Sequence, residues 1–124
     1  MKLRIYQDSI RFRVQVPEIE ELLSKGAVEA FISLGPLTSN RLRYRISLNQ
    51  VLSPQIEFSE NSIHLTIPDQ IGKDWCNSNE VGIYATQLVN DDRTLKIILE
   101  KDFKCLDDTF EDQTNMFPNP KDKC

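Results

Sequence analysis

The chain repeats one short pattern, and this repeat limits the folds open to it more than any other feature. Residues 8–14 read DSIRFRV, and residues 61–67, 53 positions later, read NSIHLTI. Each copy is a polar turn followed by alternating apolar and polar residues, which is typical of a strand with one buried face. Each copy then runs into a proline, Pro17 or Pro68, and proline suits the first position of a helix.

Two further stretches keep the same spacing. Residues 28–32 correspond to residues 81–85 at an offset of 53, and a later strand has matching apolar positions at the same offset: Leu42, Tyr44 and Ile46, with Leu95, Ile97 and Leu99. A repeat of this length is one supersecondary unit that cannot bury its apolar face alone. The sequence therefore predicts a single domain over 1–124, with internal repeats at 1–53 and 54–102.

Each repeat reads as two strands, a short helix and two more strands. Ile19, Leu22 and Leu23 form one apolar stripe after the first proline, and Gly26 supplies a helix end. The second helix follows Pro68. The predicted fold class is α+β, with two ββαββ repeats giving about eight mostly antiparallel strands. They form either a barrel or packed half-sheets, and eight strands can enclose one small ligand.

Composition restricts the classes of function. With 124 residues, 40% of them hydrophobic, the chain can bury a core. A net charge of −4 argues against nucleic acid as a partner. The chain has no apolar run of membrane-spanning length and no apolar signal-peptide core near its first residues, so we expect no membrane association. Three cysteines without a CxxC pair fit reduced thiols and a cytoplasmic location.

Cations at polar strand positions are the best candidates for a site. The candidate ligand-binding residues are Arg4, Arg11, Arg13, Arg43, Arg45 and Lys96. If these faces line one concavity, several guanidinium groups converge and suit bidentate capture of phosphate or carboxylate. In a second interpretation the face is simply solvated, with arginines opposite Glu57 or Glu100 on neighbouring strands. In a third, the acidic tail folds over the basic face.

Other chemistry has less support in the sequence. His64 is the only histidine and lies on the polar side of a strand without a local partner, which favours a surface position. Together with Cys105 and Cys124 it matches no standard zinc spacing, and we predict no metal site, no cofactor and no catalytic residue.

The last part of the chain, residues 103–124, is predicted to be an acidic C-terminal strap. Its carboxylates lack the glycine and the ligand alternation of a calcium-binding loop. Composition alone favours disorder, whereas Phe103, Phe110 and Phe117 recur every seven residues and favour docking on the body. Both interpretations stay open.

Several short segments carry a resemblance to a known family. Residues 2–5, 9–11, 100–106 (EKDFKCL) and 117–120 (FPNP) resemble a family of small bacterial proteins of unknown function. The resemblance covers nearly the whole chain and implies no activity or cofactor. At the level of fold, duplicated units making an eight-stranded barrel are similar to the CYTH-type triphosphate tunnel enzymes. Their Glu-x-Glu-x-Lys strand supplies metal-binding carboxylates, whereas the first strand here reads KLRIY.

The expected function is that of a non-enzymatic binding or interaction domain, with the basic face holding an anionic small molecule or an acidic protein partner. The alternative is a phosphate-ester or polyphosphate hydrolase of the tunnel type. That alternative requires Glu57 and Glu100 to reach the arginines inside a tunnel. An open face with arginine–glutamate pairs favours the interaction domain.

Overall fold

The alternating segments form strands and the proline-headed segments form helices in a computed structural model, which describes residues 1–104 and 117–118. The first repeat contains β1 (Lys2–Tyr6), β2 (Ser9–Val14), α1 (Val16–Lys25), β3 (Ala27–Ser33), a 3-10 helix (Thr38–Asn40) and β4 (Arg41–Asn49). The second repeat contains β5 (Gln55–Ser59), β6 (Ser62–Pro68), α2 (Asp69–Cys76), β7 (Gly82–Asn90) and β8 (Arg93–Lys101). The α+β class with two ββαββ repeats is therefore confirmed.

The two repeats exchange hairpins. One sheet, sheet A, has the strand order β1-β2-β8-β7, and the other, sheet B, has the order β3-β4-β6-β5. In each sheet the outer pairs are antiparallel, whereas the central pairs, β2–β8 and β4–β6, are parallel. Each sheet thus takes one hairpin from each repeat, and α1 and α2 carry the chain from one sheet to the other.

The strand register agrees with the duplication. In the central pair of sheet A, Ser9 lies opposite Lys96. In the central pair of sheet B, Ser62 lies opposite Arg43. Both partners are displaced by 53 positions between the repeats, which is the spacing of the sequence pattern. The two halves are therefore equivalent in their pairing as well as in their order of elements.

The hairpin of β7 departs from that spacing by two residues. Val28 lies opposite Ile46 in β3–β4, and Ile83 lies opposite Leu99 in β7–β8. Ile83 is therefore the equivalent of Val28, at an offset of 55, and the expected match of Val28 with Val81 is wrong. A slip of two residues leaves every side chain on its original face, so the alternation of the sequence could not detect it.

The core lies between the two sheets and under the helices. Its buried apolar side chains come from all four central strands and both helices, and they include Phe12, Val14, Leu22, Ile46, Leu65, Ile67, Trp75, Ile97 and Leu99. Inward and outward residues alternate along these strands, so that each sheet turns one apolar face to the shared core. The polar faces of sheets A and B consequently point away from each other.

Two glycines set the path of the helices. Gly26 ends α1 with φ = 77° and donates its N–H to the carbonyl of Leu22, a left-handed conformation that glycine adopts without strain. Gly72 is buried in α2, where a β-carbon would overlap the Leu48 side chain. In the part of the chain that the structure describes, no helix has the length and apolarity needed to cross a membrane.

The sheets do not close into a barrel, so of the two predicted arrangements the packed half-sheets are correct. Between edge strands β5 and β7, the side chain of Gln87 replaces a backbone ladder. Its Oε1 accepts a hydrogen bond from the Ile56 N–H at 2.6 Å, and its Nε2 donates to the Ile56 carbonyl at 2.9 Å. A side-chain amide thus links the two sheets where a barrel would need a strand-to-strand ladder.

Replacing Gln87 with alanine should weaken the junction between the sheets. The variant leaves the half-buried N–H and carbonyl of Ile56 without these partners, which costs about 1–3 kcal/mol per unsatisfied group. Urea unfolding should show a lower free energy of unfolding for Gln87→Ala and no comparable change for the exposed Gln55→Ala control. Equal stability of the two variants would show that the amide does not hold the sheets together.

Candidate functional site

The structure separates the six predicted cations onto two sheets. Sheet A carries Arg4, Arg11, Arg13 and Lys96 on its outer face. Sheet B carries Arg43 and Arg45 on its outer face. Because the outer faces point away from each other, the six residues do not line one concavity. The expectation of a single convergent face is wrong, and the physical reason is the exchange of hairpins between the repeats.

We call the outer face of sheet A the basic face. Its charged strand residues are five cations and one carboxylate: Lys2, Arg4, Arg11, Arg13, Lys96 and Glu100. Lys2 lies directly opposite Arg13, and Arg4 lies directly opposite Arg11. Like charges at directly opposite positions of an antiparallel pair destabilise it. The β1–β2 hairpin therefore carries a repulsion that an anion bound beside it would relieve.

Glu100 offsets part of this repulsion from the adjacent strand β8. Its side chain is buried, with the residue 6% exposed. One carboxylate oxygen accepts a hydrogen bond from the Tyr84 hydroxyl at 2.8 Å, and the other lies 3.4 Å from Nε of Arg11. A buried carboxylate needs such partners. Tyr84 is 60% exposed as a whole, but partial burial at this contact and the bond to Glu100 raise the pKa of Tyr84 to about 12.

A second carboxylate is fixed at the end of the same face. Asp102 follows β8, and its N–H donates to the carbonyl of Val14 at 2.8 Å. Its carboxylate lies 2.9 Å from the ammonium of Lys2, whose hydrogen bond is the main cause of the lowered pKa of Asp102. Lys2 and Arg11 are thus both paired, and Arg4 also has an interaction within the protein.

Arg13 differs from these three cations. It lies between Lys2 on one side and Glu100 on the other in the register of the sheet, yet it forms no ion pair with any described residue, and neither does Lys96. A cavity of about 220 Å³ opens next to it, lined by Lys2, Leu3, Arg4, Arg11 and Arg13. Because guanidinium groups bind oxyanions in a bidentate manner, this arrangement can hold a small anion.

The outer face of sheet B carries three arginines and two glutamates on its strands: Arg41, Arg43, Arg45, Glu29 and Glu57. Arg45 lies between Glu29 and His64 in the register, and Glu57 lies on the far side of His64. Nε2 of His64 is 2.7 Å from Oγ of Ser47, and burial followed by the charge of Arg45 lowers the pKa of the imidazole. A serine hydrogen-bonded to a neutral histidine resembles a nucleophile with its base, but Ser47 is only 7% exposed.

These two polar pairs are equivalents under the duplication. Ser47 and His64 correspond, at an offset of 53, to Glu100 and Arg11. Both pairs join the two central parallel strands of their sheet. The same position in the fold therefore holds a charged pair on the basic face and an uncharged pair on sheet B, which indicates that the two faces have diverged.

Several sequence hypotheses concern residues that the structure does not describe. The acidic strap between 105 and 116, with its four carboxylates, falls outside the described residues, and so do Cys105 and Cys124. Phe103 and Phe117 are described and are both exposed. Among residues 1–104 and 117–118, no group of three or more histidine, cysteine or carboxylate side chains lies close enough together to hold a metal ion.

Comparison with known families covers almost the whole chain. Residues 1–121 match a family described as "Family of unknown function (DUF7009)". The chain belongs to this family. No curated protein and no solved structure matches it. The expected relation to a family of unknown function is confirmed, whereas the likeness to tunnel enzymes loses its basis because the described strands of this DUF7009 chain form two separate sheets that do not close into a barrel.

Sequence reasoning missed the residues that shape the basic face around its arginines. Lys2 alternates with Arg4 in the printed sequence, and this signal could have placed it in the site. The roles of Tyr84 and Gly82 depend on the register of β7, which carries the undetected slip of two residues. Gly82 leaves room for the pair beside it, because a β-carbon there would lie 2.9 Å from both the Tyr84 hydroxyl oxygen and Cγ of Glu100.

Substituting Gly82 with alanine should therefore destabilise this DUF7009 protein. The added β-carbon would also lie 2.5 Å from the backbone oxygen of Leu99, which cannot move without distorting the sheet. Overpacking of this kind costs about 1–3 kcal/mol. Urea unfolding of Gly82→Ala, with Thr86→Ala on the same strand as the control, measures this cost. If both variants unfold at the wild-type urea concentration, the close approach is absent.

The raised pKa of Tyr84 gives a second prediction. Removing the charge of its partner in Glu100→Gln should lower the pKa of Tyr84 from about 12 towards its usual value near 10. Ultraviolet titration of both proteins, with Tyr84→Phe to assign the transition, measures the shift. Since the folded-state pKa is raised, the stability contributed by Tyr84 is complete below pH 10 and is lost as the pH approaches 12. A wild-type Tyr84 that titrates near 10 contradicts the described contact.

Proposed function

We propose that this protein is a non-enzymatic binding module whose basic face holds an anionic ligand or an acidic partner. The observation that supports the proposal is the arrangement on β1 and β2. Two pairs of like-charged side chains lie directly opposite each other and surround a cavity of about 220 Å³: Lys2 with Arg13 and Arg4 with Arg11. An anion in this cavity would relieve the repulsion, so that binding and folding stability are coupled.

The support for an anion site is weaker on sheet B, because its cations have neighbours that are negatively charged or aromatic. Arg45 lies beside Glu29 in the register, and the guanidinium of Arg41 lies 4.6 Å from the centre of the Phe31 ring. Such neighbours are typical of a solvated sheet face. Sheet B thus has glutamates in register with its strands, although no ion pair joins them to its arginines among the described residues. We propose sheet A as the anion site because its excess of cations over carboxylates is larger.

No observation favours the tunnel-type hydrolase. That function needs at least two carboxylates to reach the arginines within one lumen, but Glu57 lies on sheet B and Glu100 on sheet A. The carboxylate of Glu100 is also engaged by Tyr84 and Arg11. We therefore keep the non-enzymatic assignment. It includes the expectations that nucleic acid is not the partner, given the net charge of −4, and that the protein works in the cytoplasm.

Two double variants test the proposal. Arg13→Ala/Lys96→Ala removes the two cations of the basic face that form no ion pair with a described residue, and Arg43→Ala/Arg45→Ala is the matched control on sheet B. The measurement is the shift in thermal unfolding on addition of pyrophosphate, tripolyphosphate, ATP, sulfate or an acidic peptide. A ligand at 100 times its Kd stabilises the native state by about 2.7 kcal/mol.

The wild type and the sheet B variant should be stabilised by at least one of these anions, and the basic-face variant should lose that stabilisation. An equal response of all three proteins would contradict the proposal. So would a loss confined to the sheet B variant, which would place the site around Arg43 and Arg45.

A further inference from the structure

We infer that the ligand of the basic face is a single phosphoryl group, presented as inorganic phosphate or as a phosphate monoester. The inference rests on the proposed function and names the chemical class of the ligand. Three features of the described cavity support it: its size, the number of donors that its lining residues carry, and the way in which Glu100 holds Arg11.

The size of the cavity favours one compact group. Pockets for drug-sized ligands enclose about 300–1,000 Å³, whereas this cavity has about 220 Å³. It is lined by one hairpin, since Lys2, Leu3 and Arg4 come from β1 and Arg11 and Arg13 from β2. A nucleotide or a polyphosphate chain would extend beyond these five residues, and a tetrahedral group of one phosphorus and its oxygens would not.

The donors around the cavity exceed what a carboxylate can accept. Each guanidinium has five N–H groups and each ammonium three. Glu100 and Asp102 engage part of this capacity at Arg11 and Lys2, and Arg13 forms no ion pair with a described residue. A planar carboxylate offers two oxygens and suits one guanidinium fork. A phosphate monoester offers three oxygens in different directions and about −1.5 to −2 charge at pH 7, which suits side chains arriving from two strands.

Glu100 acts as a positioning residue for this site. Its buried carboxylate lies 3.4 Å from Nε of Arg11, and the Tyr84 hydroxyl fixes the other oxygen at 2.8 Å. Arg11 also lines the cavity, so the carboxylate holds one of the side chains that border it. Fixing the guanidinium before binding lowers the entropy that the complex loses. Arg4 already has an interaction within the protein, and Arg11, Arg13 and Lys2 suffice for the inference.

Isothermal titration calorimetry on the full chain tests the inference with five probes: inorganic phosphate, glycerol phosphate, a phosphoserine peptide, acetate and a hexa-aspartate peptide. The variants are Arg13→Gln and Arg13→Lys, with Arg45→Gln on sheet B as the matched control. We expect phosphate or a monoester to bind the wild type and Arg45→Gln equally. Arg13→Gln should bind it about tenfold more weakly or worse, because a hydrogen bond to a charged group contributes about 1.5–3 kcal/mol.

Arg13→Lys keeps the positive charge but not the paired N–H donors of the guanidinium, so its affinity for phosphate should fall less than that of Arg13→Gln. It also keeps the test valid if the glutamine variant does not fold, because any drop in phosphate affinity relative to Arg45→Gln then supports the inference and its absence overturns it. The relative affinities of free phosphate, glycerol phosphate and the phosphoserine peptide identify the source of the phosphoryl group.

The remaining outcomes separate the two proposals. Binding of hexa-aspartate without binding of any phosphate compound would overturn the phosphoryl assignment and leave the proposed function standing. Absence of binding by every anion would overturn both. Phosphate binding that is unchanged in Arg13→Gln, or that is lost equally in Arg45→Gln, would show that the phosphate site does not lie on the basic face.

Discussion

The parallel pairing of β2 with β8 is the contact on which the rest of the structure depends. It joins the second strand of the chain to the last one, and its equivalent in sheet B joins β4 to β6. Since each sheet needs one hairpin from each repeat, neither repeat can complete a sheet by itself. The shared core follows from this exchange, with Phe12 and Leu99 from different repeats buried in the same cluster. The β2–β8 pair closes the longest loop, because Ser9 and Lys96 are 87 positions apart, whereas the partners in β4–β6 are 19 positions apart.

The same pairing creates the basic face. It brings Glu100 beside Arg11 and Arg13, so the cations of the basic face acquire a fixed carboxylate from the other repeat. In sheet B the equivalent residues are Ser47 and His64, which form a neutral hydrogen bond at 2.7 Å. The two sheets thus present polar faces of equivalent geometry, of which the face of sheet B has the smaller excess of cations. We propose that the more positive face binds the ligand, because its excess of cations over carboxylates is larger than that of sheet B.

Much of the fold was predictable from the sequence because its signals are local. The alternation of residues such as Ile10 and Phe12 predicts the strands, and Pro17 and Pro68 predict the starts of the helices. The arginines lie at the outward-facing strand positions that the alternation indicates. The assignment of Arg43 to the same face as Arg13 was wrong, since the choice of partner strand is a long-range property that leaves no mark on the period of either strand. The hydrogen bonds of Gln87 and Tyr84 escaped prediction for the same reason: both join residues that only the sheet order brings together.

The most direct test of the central claim is to follow the backbone amide resonances of the full chain by NMR during addition of inorganic phosphate. We expect the largest shifts in Lys2–Tyr6 and Ser9–Val14, with smaller shifts at the end of β8. The amide resonances of β4 and β6 should not shift, although these strands occupy the equivalent positions in sheet B. Shifts centred on β4 and β6, or shifts spread evenly over both sheets, would contradict the claim that the basic face of sheet A is the anion site.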